Sequence, residues 1–168
     1  MTETASKTKI WLARIAVILI AAFVLLGLAW YGFSADVRGR MWQNLTDRPG
    51  GTMTFRIILQ PIGAAIAAGV DGFKDAKSGR SPYLWTMLTN PSEGGGRLRE
   101  GVISTARVLL LGLGVDLIYQ YIELKTFYPG EAAIVAIVLA FVPYLLLRGP
   151  AARVGRLWLG GSAVNEMR

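Results

Sequence analysis

The hydrophobic residues of this chain gather into long blocks instead of recurring every three or four positions. Apolar runs cover residues 10–30, 102–122 and 132–147. At about 1.5 Å of rise per helical residue, each run is long enough, or nearly so, to cross a bilayer core of about 30 Å. The pattern therefore predicts membrane-spanning helices and not the amphipathic helices of a soluble domain.

The second and third blocks predict a transmembrane helical hairpin over residues 102–147. Only residues 123–131 join them, so the two helices should be antiparallel neighbours. In the second hairpin helix, Ala132, Ala136 and Ala140 recur at intervals of four. Such small residues form a face that allows close helix packing.

The first block predicts an N-terminal transmembrane anchor. It is uncharged from Ile15 to Phe33, with Trp11 at one end and Trp30 at the other, as in the aromatic belts of membrane helices. A cleaved signal peptide is the alternative, because Lys7 and other basic residues precede the block. The block is longer than a typical signal-peptide core, which favours an uncleaved anchor.

The segment between the first and second blocks is harder to interpret. Residues 53–70 are apolar but contain Arg56, Gln60 and Pro61, and charged residues follow up to Lys77. This pattern favours an amphipathic helix that is interfacial or half-inserted over one that spans the membrane. Residues 78–99, rich in glycine and proline, predict a loop, and Gly149 and Pro150 predict a helix stop.

These patterns together predict an all-α integral membrane protein in four segments. Residues 1–33 are the N-terminal tail and transmembrane helix, and residues 34–101 form an amphipathic, membrane-surface region. Residues 102–147 are the transmembrane hairpin, and residues 148–168 are a basic, interfacial C-terminal tail.

The net charge of +7 could indicate nucleic acid, but the basic residues flank the apolar blocks. That placement favours anionic lipid headgroups as the partner and argues against nucleic acid. We expect headgroup contacts from five arginines, namely Arg97, Arg99, Arg148, Arg153 and Arg156. Arg107, inside the second block, lies close enough to its end to snorkel.

Lysine and arginine counts orient the C-terminal half of the chain. With Arg107 omitted because it lies inside a span, one side holds thirteen basic residues and the other four if residues 53–70 do not cross the membrane; if they cross, the counts are twelve and five. In both arrangements the positive-inside rule places the C-terminus in the cytoplasm and the hairpin turn outside. The N-terminus is left open.

The chain contains no cysteine and no histidine, which excludes thiolate and histidine-ligated metal sites and histidine-based catalysis. We therefore expect no catalytic residue, no cofactor and no metal. Residues Asp71, Lys74 and Asp75 lack the remaining ligands of a known metal motif, and their pattern indicates a solvated, charge-paired helix face.

Asp116 is the sharpest chemical feature, because an acid near the middle of a membrane helix is costly to insert. Tyr119, Gln120 and Glu123 continue one polar stripe from it. The stripe could be a proton or cation path, or a polar seam that joins this helix to a neighbour. The seam is favoured, since the second hairpin helix has no charge between residues 132 and 147.

Three strings resemble those of a family of small, uncharacterised bacterial inner-membrane proteins with no assigned activity. They are Phe55-Arg-Ile-Ile-Leu-Gln-Pro61, Phe127-Tyr-Pro-Gly-Glu131 and Pro143-Tyr-Leu-Leu-Leu-Arg-Gly-Pro150. The resemblance implies a bacterial inner-membrane location and a C-terminal hairpin. It implies no activity, cofactor or site residue.

The sequence thus predicts a non-catalytic accessory or scaffold membrane protein. It would bind a membrane-protein partner or a second copy through the hairpin, using Asp116, its polar stripe and the alanine face. The alternative is an oligomeric proton or cation channel or transporter subunit, in which several copies of Asp116 line a pore. A membrane enzyme using Tyr119, Glu123 and Glu131 is a third hypothesis.

Overall fold

A computed structural model describes residues 6–32, 36–37, 39, 42 and 54–166, with the backbone alone for residues 54–57, 123–124 and 160–166. The fold is that of an all-α membrane protein, and every long element in this part of the chain is helical. In chain order the helices are α1 (Lys7–Tyr31), α2 (Thr54–Lys77), α3 (Tyr83–Thr89), α4 (Pro91–Tyr119), α5 (Pro129–Ala136) and α6 (Val142–Glu166). A π-helical segment, Gln120–Leu124, extends α4, and another, Ile137–Phe141, joins α5 to α6.

Three helical stretches of the described chain are long and apolar enough to cross a membrane. They are Lys7–Tyr31, Pro91–Ile122 and Pro129–Leu159. The first agrees with the predicted anchor, and the other two with the predicted hairpin. The hairpin turn consists of residues 125–128, with Lys125 in the left-handed region at φ 48°.

The C-terminal end of α1 lies against the hairpin turn. The Tyr31 hydroxyl donates to the Phe127 carbonyl oxygen at 2.9 Å, and the rings of Phe23 and Phe127 meet edge to face. Further along, Gly27 and Gly130 bring the backbones of α1 and α5 together. The start of α1 therefore lies at the end of the bundle opposite the turn.

Helix α2 runs lengthwise along α4 and α6. Gln60 lies against Gly112 of α4 near one end, while Asp75 pairs with Arg148 of α6 near the other. Between these contacts a Cβ on Gly63 would touch Val108. Helix α2 thus lies inserted alongside the other helices and not flat in the interface, which was one of the expected alternatives for residues 53–70.

The direction of α2 determines which helix ends lie at the same end of the bundle. It carries the chain from the level of the hairpin turn back to the opposite end, where α3 and the start of α4 follow. Both the start of α1 and Arg148 also lie at that end. The connectivity thus matches the arrangement in which residues 54–77 pass through the depth of the bundle.

The loop predicted for residues 78–99 is wrong, because α3 and the first turns of α4 occupy most of it. Pro91 stands in the first turn of α4, where its missing N–H costs no helical hydrogen bond. The following glycines continue the helix. A Cβ at Gly94 would lie 3.2 Å from the Met87 carbonyl oxygen, so α3 and α4 use the small residue to pack closely.

The predicted helix stop at Gly149 and Pro150 is also wrong, since α6 continues through both. The next turns are held by tertiary contacts with α2. A Cβ added to Gly72 would lie 2.8 Å from the Arg148 carbonyl oxygen, and one added to Gly155 would lie 2.9 Å from the Ala76 Cβ. Packing against α2 therefore outweighs the local preference of proline to end a helix.

The core between α1, α4 and α5 is built from small side chains. Ala132, Ala136 and Ala140 are fully buried there, as predicted for a packing face. They lie against a group from the neighbouring helices that comprises Ala13, Ala16, Ala106, Leu109 and Leu113. The close approach of the helices depends on these residues and on the contact between Gly27 and Gly130.

We predict opposite effects for two glycine-to-alanine substitutions in membrane helices. A Cβ at Gly27 would lie 2.5 Å from the Gly130 Cα, whereas Gly114 has open space beside it. Gly27→Ala should lower the unfolding midpoint in detergent, because overpacking costs about 1–3 kcal/mol. Gly114→Ala should leave the midpoint unchanged or raise it, since alanine is the better helix former. Equal shifts in the two variants would contradict the close α1–α5 contact.

Candidate functional site: a buried ionic cluster

A buried ion pair joins α2 to α6 at the end of the bundle opposite the hairpin turn. Arg148 donates from Nε to Asp75 Oδ2 at 2.8 Å and from Nη2 to Asp75 Oδ1 at 3.0 Å. The side chains of Asp75 and Arg148 are 2% and 1% exposed. This two-point geometry is the strongest form of an arginine–carboxylate pair.

Two further arginines and a second acid surround the pair. Arg97 of α4 lies 3.4 Å from Asp75 Oδ1, and Arg80, before α3, lies 3.6 Å from the same oxygen. Glu100 contacts Arg80 at 3.1 Å and Arg148 at 3.2 Å. We call these five residues the ionic cluster.

Every charge of the ionic cluster has a partner within it. Three guanidinium groups face two carboxylates, which leaves an excess of one positive charge, and Arg80 and Glu100, each 39% exposed, form the outer edge. Arginine stays protonated at any physiological pH. The arginines of the cluster therefore cannot act as general bases or acids, and its two carboxylates are ion-paired with these arginines.

Two tyrosines close the apolar side of the cluster. The Arg148 guanidinium lies 4.1 Å from the centroid of the Tyr83 ring, and the Tyr83 hydroxyl donates to the Arg97 carbonyl oxygen at 2.5 Å. Burial raises the pKa of Tyr83 to about 12, an effect that the charge of Arg148 partly opposes. Tyr83 thus remains a neutral hydrogen-bond donor, and it docks α3 onto α4 and α6.

Gly101 makes room for this arrangement. A Cβ at residue 101 would collide with the Tyr83 hydroxyl and approach Tyr144 to 3.1 Å. The Tyr83 and Tyr144 rings meet edge to face at 5.9 Å. A small residue at this position of α4 is therefore required for the Tyr83 and Tyr144 rings to pack against Arg148.

A second layer of polar contacts lies deeper in the bundle. Arg148 Nη1 donates to the Tyr144 hydroxyl at 2.7 Å, and this hydroxyl donates to Asp71 Oδ2 at 2.8 Å. Ser104 of α4 also donates to Asp71. The chain Asp75–Arg148–Tyr144–Asp71–Ser104 therefore links α2, α4 and α6 by charge-assisted hydrogen bonds.

The stripe predicted around Asp116 lies at the other end of the bundle. Gln120 donates from Nε2 to Asp116 Oδ2 at 2.8 Å and to the Tyr128 carbonyl oxygen at 3.1 Å, and it accepts from the Tyr128 N–H at 2.6 Å. Asp116 and Gln120 are buried, and Tyr119 is half-buried. The Glu123 side chain lies outside the described residues. Gln120 thus ties the end of α4 to the start of α5, as a polar seam does.

Gln60 lies between the two polar ends. It is buried, its Nε2 donates to the Ala136 carbonyl oxygen at 3.4 Å, and a Cβ on Gly112 would collide with its amide. Its Oε1 has no hydrogen-bond partner among the described residues. The sequence showed Gln60 only as a residue that disfavours membrane insertion, whereas the structure gives it a role in joining α2 to α5.

The structure corrects the predicted solvated face of α2. Asp75 is buried in the ionic cluster and Asp71 is half-buried, while Lys74 is exposed. One signal could have indicated this. Ala64 and Ala68 lie on the same helical face as Asp71 and Asp75, and a face of small residues packs inward.

The predicted headgroup contacts divide into two groups. For Arg97 and Arg148 the prediction is wrong, because both side chains are buried in the ionic cluster and compensated there. Arg99, Arg153 and Arg156 are exposed, and their contact with lipid stays a prediction. Arg156 also donates to the Arg80 carbonyl oxygen at 3.3 Å.

The comparisons with known proteins add no relative. Neither the protein-family models, nor the curated proteins, nor the solved structures give a match to this chain. The resemblance drawn from the three strings above therefore stays a prediction.

We predict that breaking the buried pair unfolds the bundle at a much lower temperature. Asp75→Asn or Arg148→Gln should each cost about 3–5 kcal/mol, because the remaining buried charge loses the partner that binds it at two points. The measurement is the unfolding midpoint in detergent. Arg153→Gln, which removes an exposed arginine of the same helix, should have little effect.

The double variant Asp75→Asn/Arg148→Gln measures how strongly the two residues are coupled. Its loss of unfolding free energy should be clearly smaller than the sum of the two single losses, since neither charge of the pair is then present without the other. Additive losses would contradict a direct coupling between α2 and α6.

Proposed function

We propose that this protein is a non-catalytic accessory or scaffold protein of a bacterial inner membrane. The observation that carries the proposal is that the buried polar side chains at both ends of the bundle bond to one another within one chain. Asp75 and Arg148 are paired at one end, and Asp116 and Gln120 are bonded at the other. A bundle whose two ends are held by buried polar contacts presents a fixed outer surface. Such a surface suits assembly with other membrane chains better than it suits substrate turnover.

The surface available to a partner differs from the one that the sequence indicated. Asp116, Gln120 and the alanine face are buried within the chain, so they stabilise the bundle and cannot at the same time contact another protein. The outward faces carry large exposed apolar side chains. On α2 they include a row at helical spacing, namely Ile58, Ile62, Ile66 and Val70. Partner contacts through the membrane are therefore assigned to these outer faces.

The proposed orientation places the ionic cluster and both chain ends in the cytoplasm. The connectivity supports the arrangement in which α2 crosses, for which the sequence count, with Arg107 omitted, gives twelve basic residues on the side of the ionic cluster and five on the side of the hairpin turn. The positive-inside rule then makes the first side cytoplasmic. This orientation also gives the N-terminus, which the sequence left open, the same side as the C-terminus.

Anionic lipid headgroups are the proposed partner of the cytoplasmic rim. Arg99, Arg153 and Arg156 are exposed there, and Trp158, which stacks edge to face on Phe73, is exposed beside them. Exposed basic and aromatic side chains at one level of a helical bundle are typical of a membrane interface.

The alternative, a channel or transporter subunit that uses Asp116, is less well supported by this geometry. Asp116 is buried inside one chain and accepts a hydrogen bond from Gln120. Several copies could line a pore with it only after α4 turned away from α5. Proton flux into liposomes that disappears in Asp116→Asn would favour this alternative over the scaffold.

We predict that the protein exists in its native membrane as part of a larger assembly. After extraction into polymer-bounded lipid discs, the protein mass per particle should exceed the 18.2 kDa of one chain and include one or more further chains in constant ratio. Arg153→Gln serves as a control that should keep the assembly. Particles that contain a single chain would contradict a scaffold role.

We predict labelling of three single-cysteine variants from opposite sides of the membrane. The chain has no native cysteine, and Ser6, Thr89 and Thr126 are exposed. In intact spheroplasts a membrane-impermeant maleimide should label Thr126→Cys at once. Ser6→Cys and Thr89→Cys should react only after permeabilisation. Labelling of Ser6→Cys and Thr126→Cys from the same side would contradict the proposed topology.

A further inference from the structure

Arg107 is an exposed cation within a membrane-spanning helix. It belongs to the candidate span Pro91–Ile122, and its side chain faces outward from the bundle. Leu111 and Ile118, which are 54% and 61% exposed, share its face of α4, and Gly114 between them has open space beside it. Arg107 therefore projects from an otherwise apolar, lipid-facing surface.

The described residues give Arg107 no ion pair. The nearest acid on its own face is Glu100, two turns before it, and Glu100 is already engaged by Arg80, Arg97 and Arg148. Two helical turns place the Arg107 Cα about 10 Å deeper in the membrane than Glu100. A permanent charge at this depth needs an anion that can reach it from the lipid side.

We propose that Arg107 binds the phosphate of an anionic phospholipid in the leaflet that surrounds the ionic cluster. The long side chain can extend toward the interface, and its planar guanidinium matches a phosphodiester with two parallel hydrogen bonds. The acyl chains would lie along Leu111, Gly114 and Ile118. Exposed Arg99 and Lys74 at the same end favour an anionic headgroup over a zwitterionic one.

A second copy of the chain does not fit this face as well. In a twofold-symmetric dimer formed through it, each Arg107 would approach its own counterpart, and like charges would repel in a medium of low dielectric constant. A carboxylate on a different membrane protein would satisfy Arg107, and the experiment below distinguishes this occupant from the lipid. The inference does not depend on the proposed scaffold role.

The test is lipid retention by the purified protein in native mass spectrometry. Phosphatidylglycerol and phosphatidylethanolamine, offered at equal concentration in detergent, are the probes. Arg107→Gln should lower the population with bound phosphatidylglycerol by about tenfold or more, because the charge-assisted hydrogen bonds to the phosphate are lost. Arg107→Lys should retain part of the binding, and Arg99→Gln is the matched control, which should keep most of it.

Three results would overturn the proposal. Equal phosphatidylglycerol retention by the original protein and by Arg107→Gln would show that Arg107 does not bind lipid. Equal retention of phosphatidylethanolamine and phosphatidylglycerol would show that the site has no preference for an anionic headgroup. Loss of a protein subunit from native lipid discs of Arg107→Gln, with unchanged lipid, would identify a carboxylate as the occupant. Because Arg107 faces outward, the unfolding midpoint of Arg107→Gln should match that of the original protein, which shows that the fold is kept.

Discussion

A charged side chain cannot be left alone between membrane helices, and the rest of this bundle follows from how Asp75 and Arg148 meet that constraint. Removing either charge from water costs several kcal/mol, and the cost is recovered only when geometry and hydrogen bonds are nearly complete. The pair therefore holds α2 against α6 in one register. That register brings Asp71 within reach of Tyr144 and Ser104, and Gln60 within reach of α5. The position of α2 along the hairpin is thus set by charge and not by apolar packing alone.

Small residues make these polar contacts possible. Gly72 lets the α2 backbone approach Arg148, Gly101 leaves space for Tyr83, and Gly112 leaves space for Gln60. In each case a side chain at the glycine would occupy the place of a polar group or of the backbone beside it. Apolar association between helices gains little in lipid, so close approach and hydrogen bonding must supply the specificity. Each of these polar contacts therefore depends on the glycine beside it as well as on the polar residue itself.

The sequence predicted the elements whose signal is local and failed where a distant partner decides. Residues 10–30 and the hairpin were predictable because length and hydropathy suffice to identify a membrane helix. The local pattern places Asp75 in solvent, because its partner, Arg148, is far away in the chain and by itself has the pattern of a headgroup contact. Pro150 is a local helix breaker, yet α6 passes through it because Gly72 and Gly155 hold the flanking turns against α2. The stripe places Asp116 and Gln120 on one polar face, because i and i+4 are adjacent on one helix, whereas nothing in the stripe indicates the backbone of Tyr128 as a further partner.

The two polar ends are separated by the thickness of a membrane. Glu100 and Gln120 are about 30 Å apart along α4, and so are Tyr128 and Arg148 along the second hairpin helix, which equals a typical hydrocarbon core. Each end is therefore at the depth where charges and backbone groups are cheapest to bury, and the alanine-rich middle crosses the apolar region. Arg107 departs from this division, since it lies inside the apolar zone, faces outward and has no counter-charge among the described residues. Because the buried charges of the bundle have partners within it, an arginine on the outer face without a counter-charge indicates a contact made outside the chain, and the surrounding lipid is the component that is always present there.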